Sequence, residues 1–326
     1  MGDVVLATPV LRRLREMYPS ASVTLLAKAH ALDLLEASGL VDEVIPFDFP
    51  WTARARKYTL SRYYGTALSD LLKRLRAAKF DLTLDSRMDL RSNILTYATR
   101  APRRVGYDFG GGGYLLTDAL PEPPPDRHKV EDWLELLKPL GCSAPSLDPT
   151  LEVSDSERLE AQRVLSSYGF SHDDVIVAIH PGGSHALKRW PVDRFETVAR
   201  TLSGVHRVRL LVLVDPRGTG ATMQIGPDAV FLRTSLREMM AVLTQCDLLV
   251  CNDSGPMHIA AALGVPVVAV FQTGNPSAYG PRGLNHSIVG RGAPWNQATD
   301  VSVEDVLAAA EAQVRRIDRE KLMRTS

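Results

Sequence analysis

Short apolar runs alternate with helical patterns along most of this chain, and that alternation limits the fold more than any other feature. Six runs indicate buried strands, at residues 23–27, 82–84, 175–179, 210–214, 248–251 and 267–271. Their nearly continuous hydrophobicity is typical of parallel strands covered on both faces. Helical patterns lie between them, at residues 11–17, 67–78, 130–140, 194–202 and 236–244. The sequence therefore predicts an α/β protein with parallel sheets.

The length of 326 residues is sufficient for two domains of roughly 100 to 200 residues each. A stretch with glycine and two prolines, residues 141–149, separates two series of strands and helices. We therefore predict one domain over residues 1–145 and a second over residues 146–326. A last helix is predicted over residues 303–321, with Ser302 as its N-cap.

The first residues do not contain the strand with which an α/β domain normally opens. Residues 1–4, Met-Gly-Asp-Val, resemble a turn that enters a helix, so we expect the first amino-terminal strand to be missing. Two interpretations of this segment are open. Thr8 caps a helix that starts at Pro9, or Asp3 caps a longer helix that is kinked by that proline.

Composition excludes several classes of protein. With 45% hydrophobic and 23% charged residues, the chain is unlike disordered, collagen-like or coiled-coil proteins. The longest apolar run, residues 259–271, is too short to span a bilayer, and no secretory signal is evident, so we expect a cytoplasmic protein. Cys142, Cys246 and Cys251 form no CxxC pair, and we interpret all three as packing residues.

The loop after the third predicted strand contains small and polar residues, His180, Gly182, Gly183 and Ser184, and Lys188 follows before the next helix. Small residues at the carboxyl end of a strand let backbone amides approach a ligand, and a lysine adds positive charge. A phosphate group suits such a loop. The alternative is an ordinary strand-to-helix connection with a surface lysine.

A second strand, turn and helix follow at residues 248–264. The turn and first helical residues include Asp253, Ser254, Gly255, Met257 and His258. Amides at the start of that helix would favour a phosphate oxygen. Alternatively, Asp253 and Ser254 are simple N-caps, and His258 is a core residue.

Familiar cofactor and metal motifs are absent from the sequence. It contains neither GxGxxG nor GxxxxGK[ST], which argues against a dinucleotide site and a P-loop. No HExxH or DxD-like motif stands out either. We therefore predict no cofactor and a phosphate site without metal.

Positive charge is concentrated in the first half of an otherwise neutral chain. The whole sequence has 38 basic and 38 acidic residues, whereas residues 51–104 contain 13 Lys or Arg against four Asp, a net charge of +9. Four of these cations lie among aromatic residues in a predicted loop: Arg54, Arg56, Lys57 and Arg62. Such a loop suits an anionic sugar acceptor. RNA is the alternative, but no RNA-binding motif accompanies the patch, so we predict no nucleic acid partner.

Taken together, these motifs resemble glycosyltransferase family 9, the heptosyltransferases of the lipopolysaccharide inner core. The resemblance covers nearly the whole chain and is most specific in two stretches, His-Pro-Gly with Lys-Arg-Trp-Pro at residues 180–191 and Asn-Asp-Ser-Gly-Pro-Met-His at residues 252–258. It implies a GT-B fold, two Rossmann-like domains that face each other across a cleft. It also implies ADP-heptose as donor, an inverting reaction and no metal.

The resemblance also implies roles for individual residues. Asp3 matches the general base that takes the proton of the acceptor hydroxyl, and Lys188 matches the lysine that neutralises the departing diphosphate. Asp253 matches an aspartate that faces the donor sugar. The other donor-binding residues implied are His180, Gly182, Gly183, Ser184, Ser254, Gly255, Met257 and His258. The segment with Arg54, Arg56, Lys57 and Arg62 matches the part that holds an anionic lipopolysaccharide-core acceptor, through a Kdo or heptose hydroxyl.

The sequence departs from the family pattern in places. Arg87-Met88 replaces a usual glutamine-glycine, and the stretch Val-Asp-Pro-Arg-Gly-Thr-Gly at residues 214–220 has no Glu nearby, where family members usually have acidic residues after a glycine-rich turn. The remaining alternatives are a transferase or epimerase for another nucleotide sugar, and an inactive homologue that only binds one. A peripheral position at the inner face of the inner membrane is compatible with the family's acceptor.

Overall fold

The computed structural model describes residues 1–49, 66–142, 147–294 and 297–325. The chain divides into two compact units. The N-terminal unit comprises Val10–Ala29 and Glu43–Leu147, and the C-terminal unit comprises Met1–Pro9, His30–Asp42 and Asp148–Ser326. Two early segments thus belong to the C-terminal unit, although they precede the division predicted after residue 145. That division stays a prediction about where donor and acceptor bind.

The predicted strands and helices occur in their predicted order, and further elements that were not predicted lie between them. The helices are α1 Gly2–Leu6, α2 Thr8–Met17, α3 His30–Leu35, α4 Thr66–Ala77, α5 Leu90–Ala98, α6 Lys129–Glu135, α7 Asp155–Ser167, α8 Val192–Val205, α9 Leu236–Leu243, α10 Gly255–Ala262, α11 Pro276–Tyr279 and α12 Val303–Thr325. The strands are β1 Thr24–Ala27, β2 Glu43–Pro46, β3 Leu82–Leu84, β4 Arg103–Tyr107, β5 Asp118–Leu120, β6 Val175–His180, β7 Val208–Leu213, β8 Val230–Leu232, β9 Leu248–Asn252, β10 Val267–Val270 and β11 Ser287–Val289. Short 3₁₀ helices lie at Gly113–Leu115, Lys138–Leu140 and Ala186–Lys188.

The N-terminal unit contains parallel pairs of strands. β1 pairs with β2, and β3, β4 and β5 form a second sheet in that order. Val105 and Tyr107 of β4 are buried against Leu136, and Ile45 of β2 is buried with Leu71 and Leu75 of α4. The predicted strands at residues 23–27 and 82–84 are confirmed.

The C-terminal unit is built on one six-stranded sheet with the order β11-β10-β9-β6-β7-β8, and every pair in it is parallel. All residues of β6, β9 and β10 are buried, which confirms the prediction of strands covered on both faces. On one side of the sheet, Trp190 and Phe195 meet edge to face with 4.9 Å between ring centroids. Cys246 and Cys251 are buried and Cys142 is half-buried, all with free thiols.

The predicted last helix is confirmed as α12, and Ser302 caps it, since its Oγ accepts a hydrogen bond of 3.1 Å from the Asp305 amide. Among the described residues, neither α12 nor any shorter helix combines the length and the apolar character that crossing a bilayer requires.

The amino-terminal segment forms two helices in place of one. α1 ends at Leu6, and α2 begins at Thr8, whose Oγ1 donates a 2.8 Å hydrogen bond to the Val5 carbonyl. The N-cap of α1 is Met1, and Asp3 lies inside the first turn. The interpretation of Asp3 as a helix cap is therefore wrong, and its carboxylate is exposed.

Arg237 of α9 explains why residues 30–42 belong to the C-terminal unit. Its guanidinium donates to Glu157 of α7 at 2.7 Å and, through Nη1, to the Asp33 carbonyl of α3 at 3.1 Å. It also reaches the Glu152 carbonyl at 3.2 Å. One planar cation thus joins three parts of the unit. Because the guanidinium holds the charged carboxylate, the pKa of Glu157 falls to about 2.

Candidate active site

The candidate site lies where the strand order of the C-terminal sheet reverses. From β6 the chain proceeds through β7 and β8 towards one edge, and then returns to β9 on the other side of β6. Open α/β sheets bind ligands at the carboxyl ends of the strands at such a switch point. Register places His180 opposite Cys251, so the loops after β6 and β9 start side by side.

Lys188 and Asp253 meet at this position. Lys188 Nζ lies 2.5 Å from Asp253 Oδ2, and the two side chains are 14% and 6% exposed. Lys188 is therefore not the surface lysine of the alternative interpretation. Burial raises the pKa of the Asp253 carboxyl, and the Lys188 ammonium opposes that shift. The pair supplies a partly accessible cation beside a carboxylate, an arrangement that can bind an anionic group.

Asn252, the last residue of β9, holds the two loops in place. Its Oδ1 accepts a 2.9 Å hydrogen bond from the Trp190 amide. Its Nδ2 donates to the carbonyls of Pro181 at 2.8 Å and Gly182 at 3.2 Å. Asn252 was not predicted to position these loops, although a polar side chain at the end of an apolar strand is a pattern that indicates such a role.

Position 182 requires glycine because the side chains of His180 and Asp215 lie very close to its backbone. A Cβ at this position would lie 2.8 Å from His180 Cε1 and 2.9 Å from Asp215 Oδ2, so only glycine fits. Burial lowers the pKa of His180 to about 4, although Asp215 favours its charged form. The imidazole is thus neutral at neutral pH. Asp215 follows β7 and is a second residue at this edge of the sheet that was not among the predicted site residues.

The start of α10 lacks the side-chain hydrogen bond that the N-cap interpretation predicts. Ser254 occupies the N-cap position but makes no capping hydrogen bond, and its buried Oγ has no partner among the described residues. Asp253 pairs with Lys188 instead of capping. The first turn of a helix leaves backbone N–H groups without intrahelical partners, and its positive end attracts anions. An anion-binding role thus suits this turn better than capping does.

Helix α1 packs against α10, which brings Asp3 to the same part of the unit. A Cβ at Gly2 would lie 2.7 Å from His258 Cδ2, and one at Gly255 would lie 2.7 Å from Met1 Sδ. Both glycines therefore permit the contact between the helices. Asp3 follows Gly2 directly, in the first turn of α1.

Other predicted site residues have different positions. Gly183 and Ser184 continue the loop after β6, with Ser184 exposed. Met257 is fully buried and His258 is 6% exposed, so these two side chains pack inside the unit. The predicted acceptor residues lie outside the described residues: Arg54, Arg56, Lys57 and Arg62. Among the described residues, no group of three or more His, Cys, Asp or Glu side chains is placed to hold a metal ion.

Comparison with known families identifies the chain. The profile described as Glycosyltransferase family 9 (heptosyltransferase) matches residues 68–308. The chain belongs to this family. The match includes the loops after β6 and β9 as well as residues 68–147 of the N-terminal unit. Both units are therefore parts of one glycosyltransferase.

Relatives in the family are similar over most of their length. The chain is 24% identical to the lipopolysaccharide core heptosyltransferase OpsX of Haemophilus influenzae over 294 residues, which are 86% of this chain and 79% of OpsX. It is 25% identical to lipopolysaccharide heptosyltransferase 2 of Salmonella typhimurium over 309 residues, 88% of this chain and 83% of that protein.

Solved structures confirm the fold. A family 9 glycosyltransferase from Veillonella parvula superposes with a TM-score of 0.77 at 24% identity, over 97% of this chain and 94% of that one. The E. coli ADP-heptose heptosyltransferase II gives 0.74 at 22% identity, over 97% and 96%. The predicted GT-B class, with two Rossmann-like units of parallel strands, is thereby confirmed.

Proposed function

We propose that this family 9 enzyme transfers heptose from ADP-heptose to a lipopolysaccharide inner-core acceptor, with inversion and without a metal ion. The observation that carries the proposal is the Lys188–Asp253 pair at the switch point of the C-terminal sheet, 2.5 Å apart. Relatives named as lipopolysaccharide heptosyltransferases, and an E. coli heptosyltransferase structure with ADP, support the choice of donor and acceptor.

The donor's diphosphate would lie between Lys188 and the first turn of α10. Lys188 carries a positive charge, and the amino-terminal end of α10 carries the partial positive charge of the helix dipole. Ser254 Oγ and the backbone amides of Gly182 and Gly183 add hydrogen-bond donors. The diphosphate competes with Asp253 for the Lys188 ammonium, which frees the carboxylate to accept from hydroxyls of the sugar. Asp215, at the carboxyl end of the next strand, is placed where Rossmann-like folds bind ribose hydroxyls.

Transfer then requires one proton acceptor and one stabilised leaving group. The Asp3 carboxylate takes the proton of the acceptor hydroxyl as its oxygen forms a bond to the anomeric carbon. The bond from that carbon to the β-phosphate oxygen breaks, and the electron pair leaves with ADP. Lys188 neutralises the new phosphate charge, the role that a metal ion takes in other enzymes. Attack from the face opposite the leaving group inverts the anomeric centre.

The acceptor's anionic sugars are assigned to Arg54, Arg56, Lys57 and Arg62. The proposal rests on their charge and aromatic neighbours in the sequence. Because the acceptor is lipid-linked and the donor is an activated nucleotide, we place the reaction on the cytoplasmic side of the membrane.

Lys188→Ala tests the donor site. We expect the affinity for ADP to fall about ten- to a hundredfold in calorimetric titration, since a charge-assisted contact is lost. The matched control is Lys73→Ala, an exposed lysine on α4 that should leave ADP binding unchanged. Unchanged affinity in Lys188→Ala would exclude this lysine from the site, and tighter binding of uridine than of adenine nucleotides would exclude ADP-heptose.

Product analysis with ADP-heptose tests the reaction itself. Heptosylated core oligosaccharide is expected only when donor and acceptor are both present. Conversion of the sugar nucleotide without acceptor would indicate an epimerase, and binding without any product would indicate the inactive homologue.

A further inference from the structure

Helix α5 in the N-terminal unit buries polar side chains and exposes most of its large apolar ones, with only Leu95 among the latter packed against the core of Ile45, Leu71 and Leu75. The buried side chains are polar, Ser92, Asn93 and Thr96. Leu90, Ile94 and Tyr97 lie on the opposite face, at positions i, i+4 and i+7, and are between 40% and 55% exposed. A surface helix normally buries its apolar face and exposes the polar one. The reversed arrangement indicates that this apolar face contacts a partner.

The loop after β4 extends the apolar face of α5. Asn93 Nδ2 donates a 2.9 Å hydrogen bond to the Gly111 carbonyl, and a Cβ at Gly112 would lie 2.9 Å from Leu90 Cδ1, so the loop lies directly on the helix. It exposes Phe109 by 43% and Tyr114 by 84%. We call the five side chains the α5 surface: Leu90, Ile94, Tyr97, Phe109 and Tyr114.

Arginines accompany the α5 surface. Arg104 lies over the Tyr97 ring, 5.5 Å from its centroid, and its Nε donates to the Leu115 carbonyl beside Tyr114. Arg87, Arg91 and Arg100 lie within or beside α5. Asp89 forms ion pairs with Arg91 at 3.2 Å and with Arg87 at 3.8 Å, so one carboxylate faces two of these four arginines. Asp89 caps α5 through the amides of residues 91 and 92, and Asp108 accepts from the Gly113 amide.

We propose that the α5 surface docks on the surface of an anionic lipid bilayer. Apolar and tyrosine side chains surrounded by arginines match the boundary between acyl chains and negatively charged headgroups. A second copy of this chain fits less well, since two-fold pairing would bring arginines against arginines. The inference rests on the proposed function, because an enzyme with a lipid-linked acceptor reaches that acceptor at a membrane surface.

Sedimentation with vesicles tests the α5 surface. The probes are vesicles of phosphatidylglycerol and phosphatidylethanolamine, compared with vesicles of phosphatidylcholine alone. We expect binding to the anionic vesicles that weakens as salt rises. The triple variant Ile94→Ser, Tyr97→Ser and Tyr114→Ser should bind them at least about tenfold more weakly, with an unchanged melting temperature because these side chains are exposed.

The control removes apolar side chains that are as exposed but lie in the C-terminal unit: Leu159, Val205 and Leu284, each changed to Ser. This variant should bind vesicles as the wild type does. The inference is overturned if the wild type does not bind anionic vesicles, if the two triple variants bind equally, or if the α5 variant instead abolishes dimers seen by ultracentrifugation.

A deacylated, water-soluble acceptor separates this inference from the proposed function. On that acceptor, without vesicles, the α5 variant should retain wild-type turnover. Vesicle binding without transfer to any acceptor would overturn the proposed function and leave the docking surface intact. Transfer without vesicle binding would do the reverse.

Discussion

Both units place a fully buried asparagine behind a glycine-containing loop, and the two side chains are bonded to different extents. Asn252 in the C-terminal unit uses its oxygen and its nitrogen, with the Trp190 amide and two loop carbonyls as partners. Asn93 in the N-terminal unit donates to the Tyr107 and Gly111 carbonyls, but its Oδ1 is buried with no partner among the described residues.

The buried titratable groups near the two asparagines also differ in how fully their neighbours compensate the cost of burial. In the C-terminal unit, His180 is held neutral, and Lys188 balances Asp253. In the N-terminal unit, Asp85 follows β3 with one oxygen buried and unbonded, and burial raises the pKa of its carboxyl. The C-terminal edge is thus organised by its own contacts, whereas the N-terminal edge leaves buried oxygens that cost stability.

The largest expected effect concerns the chemistry that we propose for the C-terminal unit. Asp3→Asn should lower turnover at least a hundredfold, because a general base typically contributes about 10²- to 10⁴-fold and an amide cannot take the proton. ADP affinity should stay unchanged. Asp33→Asn, an exposed carboxylate in the first turn of α3, is the matched control. Turnover near wild type in Asp3→Asn would refute the base assignment.

The second effect contrasts the two asparagines directly. Asn252→Ala removes three hydrogen bonds and leaves their buried partners unsatisfied, so we expect a loss of about 3 kcal/mol in the free energy of unfolding. Asn93→Ala removes two and also one unbonded oxygen, so about 1 to 2 kcal/mol is expected. Urea denaturation of both variants measures this. Equal losses would mean that the two edges are equally organised.

The third effect is a response to acid. Because the folded-state pKa of His180 is about 4, below the unfolded value, its stabilising contribution is complete above pH 6.5 and is lost as pH falls towards 4. By pH 5 the loss should reach about 2 kcal/mol. His180→Gln should flatten this part of the stability profile. Hydrogen exchange of the β6 amides follows it locally, and an unchanged slope in the variant would contradict the pKa direction.

The smallest effect is the pH dependence of stability that Asp85 causes, which is opposite in sign to that of His180. The raised pKa of Asp85 means that its contribution to stability is present below pH 3.8 and is lost as pH rises through the folded-state pKa. Hydrogen bonds from Ser92 and the Arg87 amide offset part of the burial cost. Asp85→Asn should therefore gain stability relative to wild type as pH rises from 3.8 to 7. A relative loss over that range, in urea denaturation, would show that the ionised form is preferred.

The sequence predicted those parts of the fold that depend on strands buried on both faces. β6, β9 and β10 were predicted within one residue at each end, since their apolar runs are continuous. β4 was missed because it begins with two arginines, one of which pairs with Asp118 of β5. Tertiary ion pairing of this kind leaves no apolar pattern to detect.

The residues of the candidate site were proposed singly from the sequence, which could not show how they are arranged. Lys188 and Asp253 were each identified, yet their contact spans 65 positions and exists because β6 and β9 are neighbours in the sheet. Helix α5 was not predicted, and its exposed Leu90, Ile94 and Tyr97 are as regularly spaced as the polar residues that it buries. Periodicity identifies two faces of a helix but not which one is inside.

The division of the chain into units has a consequence for synthesis and for engineering. The C-terminal unit contains both the first nine residues and the last helix, with α3 contributed from residues 30–42. During translation its sheet and helices are completed only after α12 has been synthesised, whereas the N-terminal unit has all its residues by position 147. A chimaera that joins two relatives at a single point near that position would give the C-terminal unit a foreign α1 and α3. An exchange of the whole N-terminal unit between relatives therefore requires residues 1–9 and 30–42 to be kept together with residues 148–326.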